Sequence, residues 1–216
     1  MKYTDLLFDM DGTLNESGAG IKNGFRITME KLDRPLAADA ELDFVIGPPL
    51  AWSFEQLGVK GELNAEAVRI YREYYTTEGL FVNKPYEGIT EMLQELRLAG
   101  INAHIATSKP ELVTLRILEH FNMRQYFGVV AGASADDKRS EKADVIAYAL
   151  SQLPVGKESV LMVGDRHHDI DGAKMNGLKS AGVLWGYGTL KELEEAGADY
   201  VLKTPGEVVD LVRGQD

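Results

Sequence analysis

Six short apolar runs, each closed by a polar or glycine-containing turn, constrain this chain more than any other feature. They are YTDLLF (3–8), INAHIAT (101–107), GVVAGA (128–133), SVLMVG (159–164), SAGVLWG (180–186) and DYVL (199–202). Runs of this length, rich in Val, Ile and Leu, predict strands buried on both faces. Helical patterns lie between them. Residues 88–100 place Ile89, Met92, Leu93 and Leu96 on one stripe and stop at Gly100. Residues 110–123 open with Pro110, which suits a first helical turn, and 142–153 and 191–197 continue the alternation. Strand–helix alternation implies right-handed crossovers, hence an α/β fold with a Rossmann-like parallel sheet and helices on both faces.

Residues 16–82 break that rhythm. They read as helices (IKNGFRITMEKL, AWSFEQLG, NAEAVRIYREYYTTEGL) with no convincing strand, jointed at GPP (47–49) and VNKPYEG (82–88). The expected organisation is a core of residues 1–15 and 83–216 carrying a small all-α insert, 16–82, directly after the first strand.

Bulk properties narrow the partners. A net charge of −11 over 216 residues argues against a nucleic acid polymer, whose phosphates need a basic surface. It leaves room for a small phosphorylated ligand held by a local site. The chain has no cysteine, which excludes thiolate nucleophiles, disulfides and cysteine-bound metals. No apolar stretch approaches the roughly 18 residues of a membrane span, and MKYTDLLFDMDG does not read as a signal peptide. The expectation is a cytoplasmic protein, monomeric or homodimeric, with no membrane partner.

In an open parallel sheet, ligands bind beyond the carboxyl ends of the strands. After the first strand comes DMDGTL, where Asp9 and Asp11 are two apart and Gly12 permits a sharp turn. One carboxylate could act as nucleophile and the other as general acid/base, or the pair could form a solvated acidic turn. After the second core strand, Thr107 and Ser108 could cradle a phosphate or simply cap a helix. DDKRSEK, before the 142 helix, offers Lys138, Arg139 and Lys142 to balance an anion, or a solvated charged loop. After the strand at 159 comes GDRHHD, in which Asp165 follows the strand directly and Asp169 stands where a helix N-cap would fall.

In this order, DMDGTL, Thr107, a basic residue before the 142 helix, and the acidic pair of GDRHHD resemble the four motifs of the haloacid dehalogenase-like superfamily. The match is to its phosphoglycolate phosphatase-like and bacterial 5′-nucleotidase-like branch, and the 16–82 insert corresponds to that branch's cap. The resemblance implies an Mg²⁺-dependent phosphatase acting on a small phosphate monoester. Asp9 would form an aspartyl-phosphate, and Asp11 would protonate the leaving alkoxide and then activate water. Thr107 and Lys142 would complete the catalytic set. Asp9, Met10, Asp11, Thr107, Ser108 and Lys142 would hold the phosphoryl group. Asp9, the backbone carbonyl of Asp11, Asp165 and Asp169 would hold the metal. Lys138 competes with Lys142 for the third motif, and the prolines that often follow that lysine are missing here. Lys109 would contact substrate or lie on the surface. An aspartate at position 11 fits an ester phosphatase or a sugar phosphomutase, whereas the family's dehalogenases lack that acid; a non-catalytic module with the same fold is the third alternative.

The cap would choose the leaving group, with Arg26, Gly47 and Pro48 as candidate substrate contacts and Lys22 and Asn23 nearby in sequence. Trp52, Tyr71, Tyr74 and Tyr75 are read as packing, with base stacking as the alternative. His167 and His168, adjacent in sequence, should project in different directions and so stay out of an oxygen-ligand metal site. Arg166 is expected to pair with a nearby acid.

Overall fold

The computed structural model describes residues 2–134 and 138–214; Asp136 and Asp137 of the charged DDKRSEK segment lie outside the described residues. Two compact units emerge, one of residues 1–16 and 85–216, the other of residues 17–84.

The larger unit is built on a six-stranded parallel sheet. Its strands are β1 (Asp5–Phe8), β4 (Asn102–Pro110), β5 (Phe127–Ala133), β6 (Val160–Gly164), β7 (Lys179–Val183) and β8 (Tyr200–Leu202), in the order β5-β4-β1-β6-β7-β8. Helices α4 (Ile89–Leu98), α5 (Glu111–His120), α6 (Lys142–Ser151), α7 (His167–Met175), α8 (Leu190–Glu195) and α9 (Pro205–Arg213) complete it. Leu7 and Met162 join Val145, Ile146 and Ala173 in a dry layer under α6 and α7. Alternation then sends Leu6 and Phe8 to the opposite layer, the one in which α4 packs on β4 and α9. With both faces covered, β1 has no solvent-facing side, which is why its sequence is a continuous apolar run instead of an alternating one. The chain adds β4 and β5 on one side of β1, then crosses to add β6, β7 and β8 on the other. That reversal makes the carboxyl end of β1 the switch point of the sheet.

The smaller unit contains α1 (Gly18–Lys31), α2 (Leu50–Gln56) and α3 (Glu62–Thr77). Phe25, Phe54 and Tyr71 form its aromatic core, and Tyr75 stacks on Tyr71 with ring planes 8° apart. Gly24 lets α1 approach α3, since a Cβ there would lie 2.6 Å from the Tyr71 ring. Tyr71 and Tyr75 are therefore packing residues, whereas Trp52 is 44% exposed.

Three local expectations are corrected. Strands β2 (Asn15–Glu16) and β3 (Lys84–Pro85) flank the crossings between units, and two residues are too few to leave an alternation in the sequence. Strand β4 continues past Thr107 to Pro110, because the residue before a proline is pushed towards extended backbone. Pro110 itself is extended (φ −54°, ψ 132°), so it caps α5 from outside and Glu111 begins the helix.

Candidate active site

Asp9 is the first residue beyond β1, and its N–H extends the ladder to Val163 O at 2.9 Å. The chain then folds back: the N–H groups of Leu14 and Asn15 both donate to Met10 O at 3.0 Å. Gly12 makes this turn feasible in two ways. Its φ of +86° favours glycine, and a Cβ would lie 2.2 Å from Asp165 Oδ2. The Met10 side chain is fully buried, so it has only main-chain atoms to offer a ligand.

Asp165 directly follows β6 and is fully buried. Thr13 Oγ1 donates to its Oδ1 at 3.1 Å and the Tyr187 N–H to its Oδ2 at 2.8 Å. Gly188 lies so close that a Cβ would stand 1.8 Å from Asp165 O. Asp169 sits one turn into α7, at the third helical position and not at the N-cap, which is Arg166. Its Oδ2 accepts the Arg166 N–H at 3.1 Å, the role that an acid at this position plays in a capping box. That bond fixes the carboxylate, and Gly164 clears its space, for a Cβ there would fall 2.1 Å from Asp169 Cγ.

Lys142, the first residue of α6, ties two of these acids together. Its Nζ lies 2.7 Å from Asp9 Oδ1 and 2.8 Å from Asp169 Oδ1, and it also donates to Ala106 O at 3.2 Å. Lys138 is exposed, and Arg139 is held elsewhere by Glu111 at 2.9 Å and by the Tyr148 ring. Among the three basic candidates, Lys142 is the one whose charge reaches Asp9. Thr107 is buried, hydrogen-bonds with Asp9 and accepts the Lys109 N–H at 3.2 Å. Ser108 is half-buried, on a stretch where the β4–β5 register shifts. Asp11 Oδ2 accepts from Lys109 Nζ at 2.7 Å. Lys109 is thus buried against an acid and is not a surface residue.

The electrostatics are unbalanced. Oxygens of Asp9, Asp165 and Asp169 lie within 4.8 Å of one another. With all three ionised, these carboxylates would face one ammonium among the described residues, that of Lys142, an excess of two negative charges (three minus one). Burial pushes Asp9 up to about 6, with Asp169 adding to the rise and Lys142 and Thr107 opposing it. Burial, with Asp169 and Asp9 beside it, also holds Asp165 well above the usual carboxylate range. Lys142 loses solvation too, yet Asp169 and Asp9 outweigh that loss and raise it above an ordinary lysine. An excess of two charges on hard oxygen donors is the deficit that a divalent cation fills, and the donor set suits a hard metal.

The remaining candidates lie elsewhere. His167 and His168 do not diverge: their rings pack with centroids 3.8 Å apart, because Glu192 Oε1 accepts both the main-chain N–H and Nδ1 of His167 and draws that ring inward. Arg166 Nε joins the same oxygen at 2.8 Å. A groove of about 500 Å³ lined by His167, Asp171, Thr189 and Glu192 contains none of the three clustered carboxylates. In the helical unit, Arg26 donates to Ala37 O and Ala40 O at 2.9 and 3.0 Å. Its guanidinium braces the loop of residues 37–40. Lys22 pairs with Asp43, Asn23 bonds to Tyr74, Gly47 is exposed with φ +104°, and Pro48 is half-buried. Sequence reasoning missed Tyr187, and it passed over Lys109 as a partner for Asp11; the TSK spacing, with Thr107 and Lys109 two apart, was the available signal.

The family profile described as haloacid dehalogenase-like hydrolase matches residues 6–183. The chain is 40% identical to tyrosine-protein kinase PtkA of Mycobacterium tuberculosis, over 94% of this chain and 67% of that protein. It is 36% identical to the 5′-nucleotidase of Pseudomonas aeruginosa, over 89% of this chain and 88% of that protein. The crystal structure of a predicted phosphatase from Clostridium acetobutylicum superposes with a TM-score of 0.93 at 38% identity, covering 99% of this chain and all of that one (100%).

Proposed function

Because the chain belongs to the haloacid dehalogenase-like hydrolase family, and is a phosphatase, we propose that it hydrolyses a small phosphate monoester with Mg²⁺ through an aspartyl-phosphate on Asp9. The observation that carries this reading is the cluster of Asp9, Asp165 and Asp169, in which Lys142 lies 2.7 Å from Asp9 and 2.8 Å from Asp169 and three acids meet one ammonium among the described residues.

Asp9, Asp165 and Asp169, with the backbone carbonyl of Asp11, would hold the metal. When bound it would neutralise the cluster and screen the carboxylates from a phosphate dianion. Asp9 then attacks phosphorus: an O–P bond forms to the carboxylate as the P–O bond to the alcohol breaks. Asp11 delivers its proton to the departing oxygen and afterwards takes one from the water that attacks the acyl phosphate. Lys142 and Thr107 stay beside Asp9 and stabilise charge on the phosphoryl oxygens, with main-chain N–H groups around Met10 and Ser108 as further donors. The helical unit, inserted between the first acid pair and Thr107, takes the role of a cap that selects the leaving group, with Gly47 and Pro48 its candidate contacts.

The likeness to PtkA favours a second reading, in which the phosphoryl group passes from Asp9 to a protein tyrosine hydroxyl and not to water. One experiment separates these outcomes: phosphate release with Mg²⁺ across nucleoside monophosphates, phosphoglycolate and sugar phosphates, beside a tyrosine-phosphorylation assay. Free phosphate that vanishes in Asp9→Asn supports the phosphatase. Isomerised sugar phosphate without release would mark a phosphomutase, and silence in every assay a binding module.

A further inference from the structure

We propose that Lys109 is a positioning residue for proton transfer: it pins one oxygen of Asp11 and so dedicates the other to the leaving group. The inference rests on the reading of Asp11 as the acid of the phosphatase reaction.

The two oxygens of Asp11 are not equivalent. Oδ2 accepts from Lys109 Nζ at 2.7 Å, and the two side chains are 17% and 5% exposed. Oδ1 is shielded from solvent and has no hydrogen-bond partner among the described residues. A buried carboxylate oxygen without a donor is costly unless a ligand atom or water completes it. A charge-assisted bond of 2.7 Å is among the stronger restraints available to a side chain, and it removes the rotational freedom of the carboxyl group. With Oδ2 held, Oδ1 is the oxygen left to exchange a proton with the departing alkoxide. As the P–O bond breaks, that proton leaves and the resulting carboxylate stands against the Lys109 ammonium. In the second half-reaction Oδ1 regains a proton from the attacking water, and the cycle closes without a change in Lys109.

The placement of Lys109 has a local cause. Its N–H bonds to Thr107 Oγ1 at 3.2 Å, and Pro110 keeps the backbone extended. Thr107 and Lys109 therefore repeat, two residues apart on β4, the spacing of Asp9 and Asp11 after β1. Thr107 serves the nucleophile and Lys109 the acid.

Leaving-group dependence tests this. Substituted phenyl phosphates vary the need for a proton at nearly constant size: nitrophenolate departs readily unprotonated, whereas phenolate, whose conjugate acid ionises near pH ~10, does not. In Lys109→Met, kcat/KM for phenyl phosphate should fall at least about tenfold further than for p-nitrophenyl phosphate. That is a share of the roughly 10²–10⁴ that general acid catalysis supplies. The effect should lie in kcat, with KM changed less than about twofold, and Lys109→Arg should restore the wild-type ratio to within about threefold. Asp11→Asn should show the same selectivity, larger, and the double variant should add nothing to it. Equal losses on both esters in Lys109→Met, with Asp11→Asn still selective, would overturn the role of Lys109 alone. An Asp11→Asn enzyme with the wild-type ratio, or a wild-type protein inert on every phenyl ester, would overturn the underlying reading and the inference with it.

Discussion

Asp5 opens β1 and Asp9 is the first residue beyond its other end, four residues on, and both are buried. Their surroundings differ completely. Asp5 accepts from Thr4 Oγ1 at 2.7 Å and from Asn102 Nδ2 at 3.1 Å. It also meets His104 Nε2 at 3.0 Å, and because His104 Nδ1 accepts the Val129 N–H, Nε2 is the protonated nitrogen and donates to Asp5. Asp9 instead stands beside two further carboxylates with one lysine among them. An acid whose lone pairs are filled by the fold is part of the scaffold. An acid that the fold leaves short of positive charge is waiting for something the chain does not contain.

The largest expected effect breaks the two apart. Asp9→Asn should lower turnover at least about 10³-fold, as loss of a nucleophile does, and leave thermal stability unchanged or higher because it removes one charge from a crowded cluster. Asp5→Ala should do the reverse. The buried His104 loses its acceptor, whereas the exposed Thr4 and Asn102 can turn to water, so stability should fall by about 1–3 kcal/mol while kcat/KM, measured well below the melting transition, stays within about threefold. A stable, inactive Asp5→Ala protein would contradict the division.

How far the sequence reveals this division depends on where each partner comes from. Strand ends are legible because an apolar run of four or five residues stops at Asp9 and at Asp165, and sheet topology brings such ends together. Lys142 is legible as the first residue of a helical pattern. The donors that decide each acid's state are not: Tyr187 is 22 residues from Asp165, Thr13 is 152, and Lys109 is 98 from Asp11. Asp5 carries no sequence signal at all, since TDLLF reads as any buried strand and His104 reaches it from 99 residues away. The partners of Arg26 are hidden for the same reason, because its carbonyl acceptors lie in a loop without periodicity.

Metal binding offers the next contrast. Asp165→Asn should raise the Mg²⁺ concentration for half-maximal rate by tenfold or more, on the order of what lost metal-site interactions cost. Asp5→Ala should leave that concentration unchanged. Titrating the rate with Mg²⁺ in both variants reads the difference directly, and an unshifted curve for Asp165→Asn would remove Asp165 from the ligand set.

The pH dependence of stability follows with the same sign of argument. In metal-free protein Asp9 keeps its proton up to about pH 6, while the unfolded chain releases it near the usual value of about 4. Between those values the folded state binds more protons, so stability falls as pH rises through about 4 to 6. The contribution of Asp9 is at most about 3 kcal/mol, from two pK units. Asp165, also raised, adds a loss of the same sign. Melting curves of chelator-treated protein should therefore shift down as pH rises from about 4 to about 6, relative to the same protein with Mg²⁺. Asp9→Asn should shrink the shift.

The smallest expected effect separates two rules that Asp5 and Asp9 leave confounded, position along the strand and satisfaction by donors. Glu192 belongs to the site end of the sheet, since it holds Arg166 and His167 at the start of α7, the helix that carries Asp169. It is nevertheless a satisfied acid: partial burial works against its charge, yet bonds from Arg166 and from the N–H and ring of His167 bring it down to about 2. If position decided function, Glu192→Gln would be as damaging as a change in the cluster. If satisfaction decides it, the glutamine keeps one acceptor oxygen for Arg166 and His167, and little is lost. Partial exposure screens the ion pair, so stability at pH 7 should fall by no more than about 1 kcal/mol. Any contribution Glu192 makes is present above its unfolded value of about 4.5 and fades only as pH drops towards about 2. Turnover should stay within about threefold of wild type, because Asp169 is fixed independently by the Arg166 N–H and by Lys142. A hundredfold loss of activity in a folded Glu192→Gln protein would show that the groove beside α7 belongs to the chemistry, and that proximity, not unmet charge, marks the working acids.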